Sequence, residues 1–475
     1  MWRIHEKELD TLENIKHMRW RAVLLALAFL FCWQTVALAA QLTAVRFGGG
    51  VERERIVFEL SALPAYEAKT SADGKQVIIE FAGISDGVRI KPATRGEVIR
   101  HVSYVKVGKN LRVIIDLQEP AAYEIKTLHK PERIYINFQK HYEIRTDEVK
   151  APGLVLTKYV RRDGRGLLTA YLLDVDPLRY ELVPALANGQ VRGRGTVREM
   201  SDDLGAAAAI NATYFDATGA ILGVMRMGGE LAGTTYFTRS ALGLWKDGTA
   251  FVAPVHYHAR VQIGKVSRDV SGVNVTRGED ALILYNRLFA ATTETNEFGR
   301  EFIVRGGKVT AIRGANTPIP QDGYVLSLHG ASKDAFARVK VGDAVILTED
   351  FGAKWEGVSH IIGAGPTLVK RGRVAVNAKE EEFPADIAVG RAPRTGVAVL
   401  GNRHILLAVV DGRQASSIGC TLEEFAALLV QFGAKEAVNF DGGGSSEMVV
   451  GGEIVNSPSD GEERRVGSAL AVLHK

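Results

Sequence analysis

The chain has 475 residues, 46% hydrophobic and 24% charged, the balance of a globular protein long enough for two or more domains. Its formal net charge is +4 and no basic stripe stands out, which excludes a nucleic-acid footprint. Fifty glycines against 5 Trp, 13 Tyr and 18 Phe point to many turns and a β-rich fold.

Residues 1–40 read as an export signal. Met18-Arg19-Trp20-Arg21 is basic, Ala22 to Val36 is apolar, and Ala37-Leu38-Ala39 fits a small-x-small cleavage pattern. Cleavage is expected near Ala39/Ala40, which would deliver the mature chain to the periplasm or cell envelope. An uncleaved anchor is the alternative, although the apolar run is short for a full span. Either Met1 or Met18 could be the start. Cys32 lies in the signal and Cys420 alone remains beyond it, so the mature chain is expected to have no internal disulfide.

Residues 41–140 carry four segments of one pattern: Arg55 to Leu60, Gln76 to Phe81, Arg112 to Leu117 and Arg133 to Phe138. Each is β-branched and closes polar–apolar, and turn residues separate them. That spacing, with no helical period, predicts a small β-sandwich. The penultimate polar residues are expected to face solvent. The repeated basic–apolar–acidic pattern resembles the AMIN domain of exported envelope proteins. The resemblance implies a cell-wall targeting module with peptidoglycan as its partner. The polar run at 141–152, ending in Ala151-Pro152-Gly153, reads as a linker.

Residues 153–475 read as a larger, β-rich mixed α/β domain, so that the whole chain is α+β. Thr196-Val197-Arg198-Glu199 is a capping box opening a short helix. Gly205 ends it, and a buried strand runs up to Asn211. The same grammar returns at Thr421-Leu422-Glu423-Glu424, a second capping box. Here the helix stops at Gly433 and a strand runs up to Asp441. Two helix–strand units thus each bring a polar motif to a strand's C-terminal end, where open α/β sheets place ligands. The second motif is Asp441-Gly442-Gly443-Gly444-Ser445-Ser446. Three glycines let a ligand approach the backbone closely; a plain strand–turn–strand with a solvated Asp is the other reading. Between them, Thr395 to Leu400 and His404 to Val410 flank Gly401-Asn402-Arg403 as a hairpin. This sets Arg394 and Thr395 beside Asp411-Gly412-Arg413. Arg394 could hold a phosphate or carboxylate, or form a salt bridge with Asp411.

No HExxH, paired CxxC, P-loop or Rossmann glycine pattern occurs. The motifs that do occur resemble, in order, the phosphodiester glycosidase family, that is, N-acetylglucosamine-1-phosphodiester α-N-acetylglucosaminidase-like and exopolysaccharide-biosynthesis proteins. They are Ile210-Asn211-Ala212, Gly363 to Pro366, Arg391 to Thr395, Val410 to Arg413, Asp441 to Ser446 and Asn456 to Arg464. Thr213-Tyr214-Phe215 departs from that pattern and leaves the pocket's shape there open. The resemblance implies an exported hydrolase that cleaves the glycosidic bond of a sugar-1-phosphodiester on an envelope glycan or exopolysaccharide. Asp441 is then the expected catalytic carboxylate and Asp411 its partner. Arg394 and Thr395 would hold the phosphate and Asn211 a hydroxyl. Gly442, Gly443, Gly444, Ser445 and Ser446 would hold other substrate oxygens. No cofactor is required by this reading; a divalent cation such as Ca²⁺ among Asp441, Asp411 and Asn211 is left open. A non-catalytic envelope-glycan binder is the alternative function, and a phosphodiesterase that cleaves P–O a third.

Overall fold

The computed structural model describes residues 40–50, 53–85, 96–140, 142–163, 165–234 and 237–475. The export signal expected over residues 1–40 falls outside them except for Ala40. The chain divides into two compact units, Met1–His141 and Tyr142–Lys475. Strands dominate both, and the helices are few and short, in keeping with an α+β chain.

The first unit is a sandwich. One sheet has five strands in the order Ile84–Ser85, Ala40–Gly49, Arg53–Leu60, Arg133–Gln139, Tyr123–Leu128; the other has four, Tyr66–Thr70, Gln76–Phe81, Asn110–Leu117, Ile99–Val107. The period-two alternation read from the sequence decides the inner faces. Ile56, Phe58, Ile134 and Ile136 of one sheet share a core with Val77, Ile79, Val113 and Ile115 of the other. Each such side chain contributes about 1.5–3 kcal/mol by leaving water. The polar residues at the penultimate positions form rungs on the outer faces. Arg112 Nη2 donates to Glu80 at 3.0 Å, and Arg55 Nε to Asn137 at 2.7 Å.

The second unit is built on an eight-stranded sheet ordered Tyr142–Ala151, Leu154–Asp163, Gly166–Val175, Ile405–Val410, Arg394–Leu400, Ala434–Asn439, Thr367–Lys370, Arg373–Val374. Alternate residues of its central strands face opposite ways. Val397, Leu407, Val409 and Val438 pack on a five-stranded sheet through Ile210, Met448, Leu470 and Val472. Ala398, Leu406 and Ala408 pack on the helix Leu422–Gln431 through Leu422, Phe425 and Leu429. That helix starts at the expected capping box, with Thr421 accepting from the Glu424 N–H and Glu424 reaching back. The helix Val197–Asp203 starts in the same way at Thr196 and Glu199. A further β-rich lobe, between about residues 224 and 361, has its own core around Leu284, Phe302, Leu326 and Trp355.

Two expectations change. The run 141–152 is not a linker over most of its length. Tyr142–Ala151 is a ten-residue strand paired antiparallel with Leu154–Asp163. It is the sheet's edge, and its exposed, charged side chains are how edge strands avoid further pairing; that polarity is what made it read as a linker. The two helix–strand units also do not form a parallel α/β sheet. Ala208–Asn211 lies in the five-stranded sheet and Ala434–Asn439 in the eight-stranded one, and every ladder of these two sheets is antiparallel. Packing of sheet on sheet, not strand order within a sheet, brings their ends together.

Candidate active site

The ends of those two strands are joined by their own backbone. The Asp441 N–H donates to the Ala212 carbonyl at 3.0 Å, and Asn211 Nδ2 donates to the Asp441 carbonyl at 2.6 Å. Asn211 Oδ1 accepts from Thr395 Oγ1 at 2.8 Å and from the Glu447 N–H at 3.2 Å. Asn211 is 1% exposed and Thr395 0%. The structure therefore corrects their expected role in substrate binding. Their polar atoms are spent tying together the Asn211, Arg394 and Asp441 strands, so they are positioning residues behind the site.

In front of this clamp is a pocket of about 240 Å³ lined by Tyr214, Asp386, Ile387, Ala392, Arg394, Arg413, Asn439, Asp441, the three glycines 442–444 and Arg464. Asp441 is half-buried in its wall. Burial pushes its carboxyl up to about 6, against the opposing pull of the Ser445 hydroxyl, the Gly442 N–H and the Arg464 charge. Arg394 is 3% exposed. It donates to three carbonyls, from Nε to Cys420 at 3.2 Å and from Nη2 to Ile387 at 3.1 Å and Gly390 at 2.5 Å. Among the described residues it has neither an ion pair nor a hydrogen bond from Nη1. The hairpin is as expected, with Arg394 opposite Val410, but the salt bridge to Asp411 does not form. Burial disfavours its charge and shifts it downward, and the nearby Arg413 charge adds to that shift, so a bound anion would stabilise it.

Asp411 is buried behind the pocket and does not line it. Its Oδ1 accepts from Asn456 Nδ2 at 3.1 Å and the Ser457 N–H at 3.0 Å, and its carbonyl accepts from Ser417 Oγ at 2.6 Å. Burial raises its pKa. It braces the 456–457 loop, which corrects its expected place as catalytic partner. The backbone cradle expected of the glycines is also partly spoken for. The Gly443 N–H donates to the Pro393 carbonyl at 2.9 Å and the Gly442 N–H to the Asp441 carboxylate. The glycines matter by what they admit. A Cβ on Gly442 would lie 3.9 Å from Arg394 Cδ, one on Gly443 3.3 Å from Arg413 Nη2, and one on Gly444 2.0 Å from Arg464 Nη2. Gly443 also has φ +63°, where a side chain is strained. Ser445 and Ser446 are each 2% exposed, and the Ser446 hydroxyl has no hydrogen-bond partner among the described residues.

A divalent cation does not fit Asp441, Asp411 and Asn211. Asp411 Oδ1 and Asn211 Oδ1 already accept N–H and O–H donors, and a hard cation needs several oxygens turned to one point.

Two functional candidates escaped the sequence reading. Tyr214, in the stretch that departed from the family pattern, donates to the Gly365 carbonyl at 2.8 Å and accepts from Asn439 Nδ2 at 2.9 Å. Asn439 Oδ1 is a buried acceptor with no hydrogen-bond partner, on a residue that lines the pocket. The only sequence signal was their place at or just past a strand end.

One pocket between antiparallel sheets thus holds a carboxylate and an arginine without a carboxylate partner among the described residues, in a chain that also carries a β-sandwich. Residues 298–473 match the phosphodiester glycosidase family and residues 44–141 match the AMIN domain. Arg394, Arg413, Asp441 and Arg464 fall inside the glycosidase match; Asn211 and Tyr214 do not. The chain is 35% identical over 90 residues to the SPbeta prophage-derived uncharacterized protein YomE of Bacillus subtilis strain 168, covering 19% of this chain and 14% of that protein. Its fold is similar to a crystal structure of a hypothetical protein from Synechocystis (TM-score 0.63, 22% identity, 92% of this chain and 81% of that one). It is also similar to a putative exported protein of Burkholderia pseudomallei K96243 (TM-score 0.57, 21% identity, 91% and 98%).

Proposed function

We propose that the protein is an exported envelope hydrolase that cleaves the glycosidic C–O bond of a sugar-1-phosphodiester. The observation that carries this is one pocket holding both Asp441, with its carboxyl raised to about 6, and Arg394, buried without a counter-charge. The family match is consistent with it. Arg394 would hold the phosphate through its free Nη1. Phosphate leaves readily and needs little protonation, so a single carboxylate can serve. Asp441 would take the proton from a water attacking the anomeric carbon and stabilise the oxocarbenium-like charge. The orphaned Asn439 Oδ1 would accept a sugar hydroxyl, the role first expected of Asn211. The AMIN match supports attachment to the cell wall, with peptidoglycan as partner of the first unit.

The test is Asp441→Asn on a chromogenic sugar-1-phosphodiester. Turnover should fall by at least about 10²-fold with an unchanged circular-dichroism spectrum. In the wild type kcat/KM should rise with pH through about 6, because the base acts when deprotonated. A near-normal Asp441→Asn rate overturns the assignment. Tight sugar-phosphate binding without any release of sugar would favour the non-catalytic glycan binder. Label from ¹⁸O water entering the phosphate and not the sugar would favour P–O cleavage.

A further inference from the structure

Three arginines, Arg394, Arg413 and Arg464, line the pocket with the three glycines. The guanidiniums of Arg413 and Arg464 lie against Gly443 and Gly444, whereas Gly442 lies against the Pro393 carbonyl with the Arg394 stem beyond it. The three side chains come from separate places in the chain: a strand start, the turn after Asp411 and the loop before the last strand. Their counter-charges differ. Arg464 is paired with Asp460 at 2.6 Å. Arg394 and Arg413 have no ion pair among the described residues, and Arg413 has no hydrogen bond there either. Arg413 also sits at φ +60°, a left-handed conformation unfavourable for a side-chain-bearing residue that persists only where the surroundings impose it. Of the two carboxylates lining the pocket, Asp441 is held by Ser445 and Gly442, and Asp386 accepts from the Ile387 N–H at 3.0 Å.

A phosphodiester brings one negative charge. Arg394 and Arg413 line one pocket and neither is ion-paired among the described residues, so a second anionic group would find an arginine that the first leaves open. We propose that the leaving group carries a second phosphoryl group, which Arg413 holds while Arg394 holds the scissile one. This rests on the hydrolase reading for which phosphoryl group is scissile, but not for the two arginines that line the pocket. The second phosphoryl could be the far half of a diphosphate or a phosphate further along the leaving group, and Arg413 at the exposed mouth suits either.

The test uses the full chain. Binding of inorganic phosphate and pyrophosphate is measured by titration calorimetry at fixed salt. Pyrophosphate should bind at least about tenfold more tightly, the worth of one charge-assisted arginine contact. Arg413→Gln should bring the ratio to within about threefold, whereas Arg371→Gln, in a remote turn, should leave it as in the wild type. A wild-type ratio near one, or a ratio untouched by Arg413→Gln, overturns the proposal. Turnover is then compared for three esters of one sugar: a methyl phosphodiester, a methyl diphosphate, and a phosphodiester whose leaving alcohol bears a phosphomonoester. Preference for the second or the third identifies the source. Preference for neither, with the methyl phosphodiester turned over equally well, also overturns the proposal. If none is turned over while the Arg413-dependent pyrophosphate preference stands, the hydrolase reading fails and the two-phosphoryl site does not.

Discussion

At the scale of single residues, the site is decided by which polar atoms are already occupied. Asn211 and Thr395 stood beside Asp441 in the sequence argument as ligand binders, yet the fold uses them as joinery. Asn211→Ala should therefore destabilise the protein. It would strand the Thr395 hydroxyl and the Glu447 N–H in the interior, at roughly 1–3 kcal/mol for each unsatisfied group, read from the urea midpoint. Glu447 offers a second residue-scale test. It is buried with one carboxylate oxygen unpartnered, and burial, reinforced by the Glu463 carboxylate, pushes it up to about 8. Its folded pKa is raised, so the native state holds a proton that the unfolded chain releases. The stability from this protonation is full below the ordinary value of 4.5 and is lost as pH rises toward about 8. Glu447→Gln should flatten the pH dependence of the urea midpoint across that window; an unchanged slope would show that another group sets it.

At the scale of elements, local signals were legible wherever the physics is local. Both capping boxes, the Arg394/Asp411 hairpin and the alternating strands of the sandwich form as the residues dictate. The stretch 142–151 was misread because an edge strand and a linker share the same polar composition. Its pairing with Leu154–Asp163 has a measurable consequence. A fragment starting at residue 142 should melt cooperatively and stay monomeric. One starting at 153 should melt several degrees lower and associate, because it uncovers the backbone edge of Leu154–Asp163. Equal melting and equal solubility would mean that the edge strand contributes nothing.

At the scale of the whole molecule, matches to the AMIN domain and to the phosphodiester glycosidase family fall on the two separate compact units of one chain. The sequence by itself determined the β-rich class, the inner faces of the sandwich and the presence of Asp441, Arg394 and the triglycine turn. It did so because side-chain alternation, capping and glycine spacing are properties of neighbours along the chain. Only the tertiary structure decided that Asp411 braces a loop, that Asn211 clamps three strands, and that Tyr214 and Asn439 line the pocket. Those outcomes depend on which sheet packs on which, and on where a buried polar atom finds its partner two hundred residues away. The same holds for the three arginines that share a pocket with the triglycine turn: the glycines are adjacent in sequence, but the charges arrive from strands and loops that only the packed fold brings together.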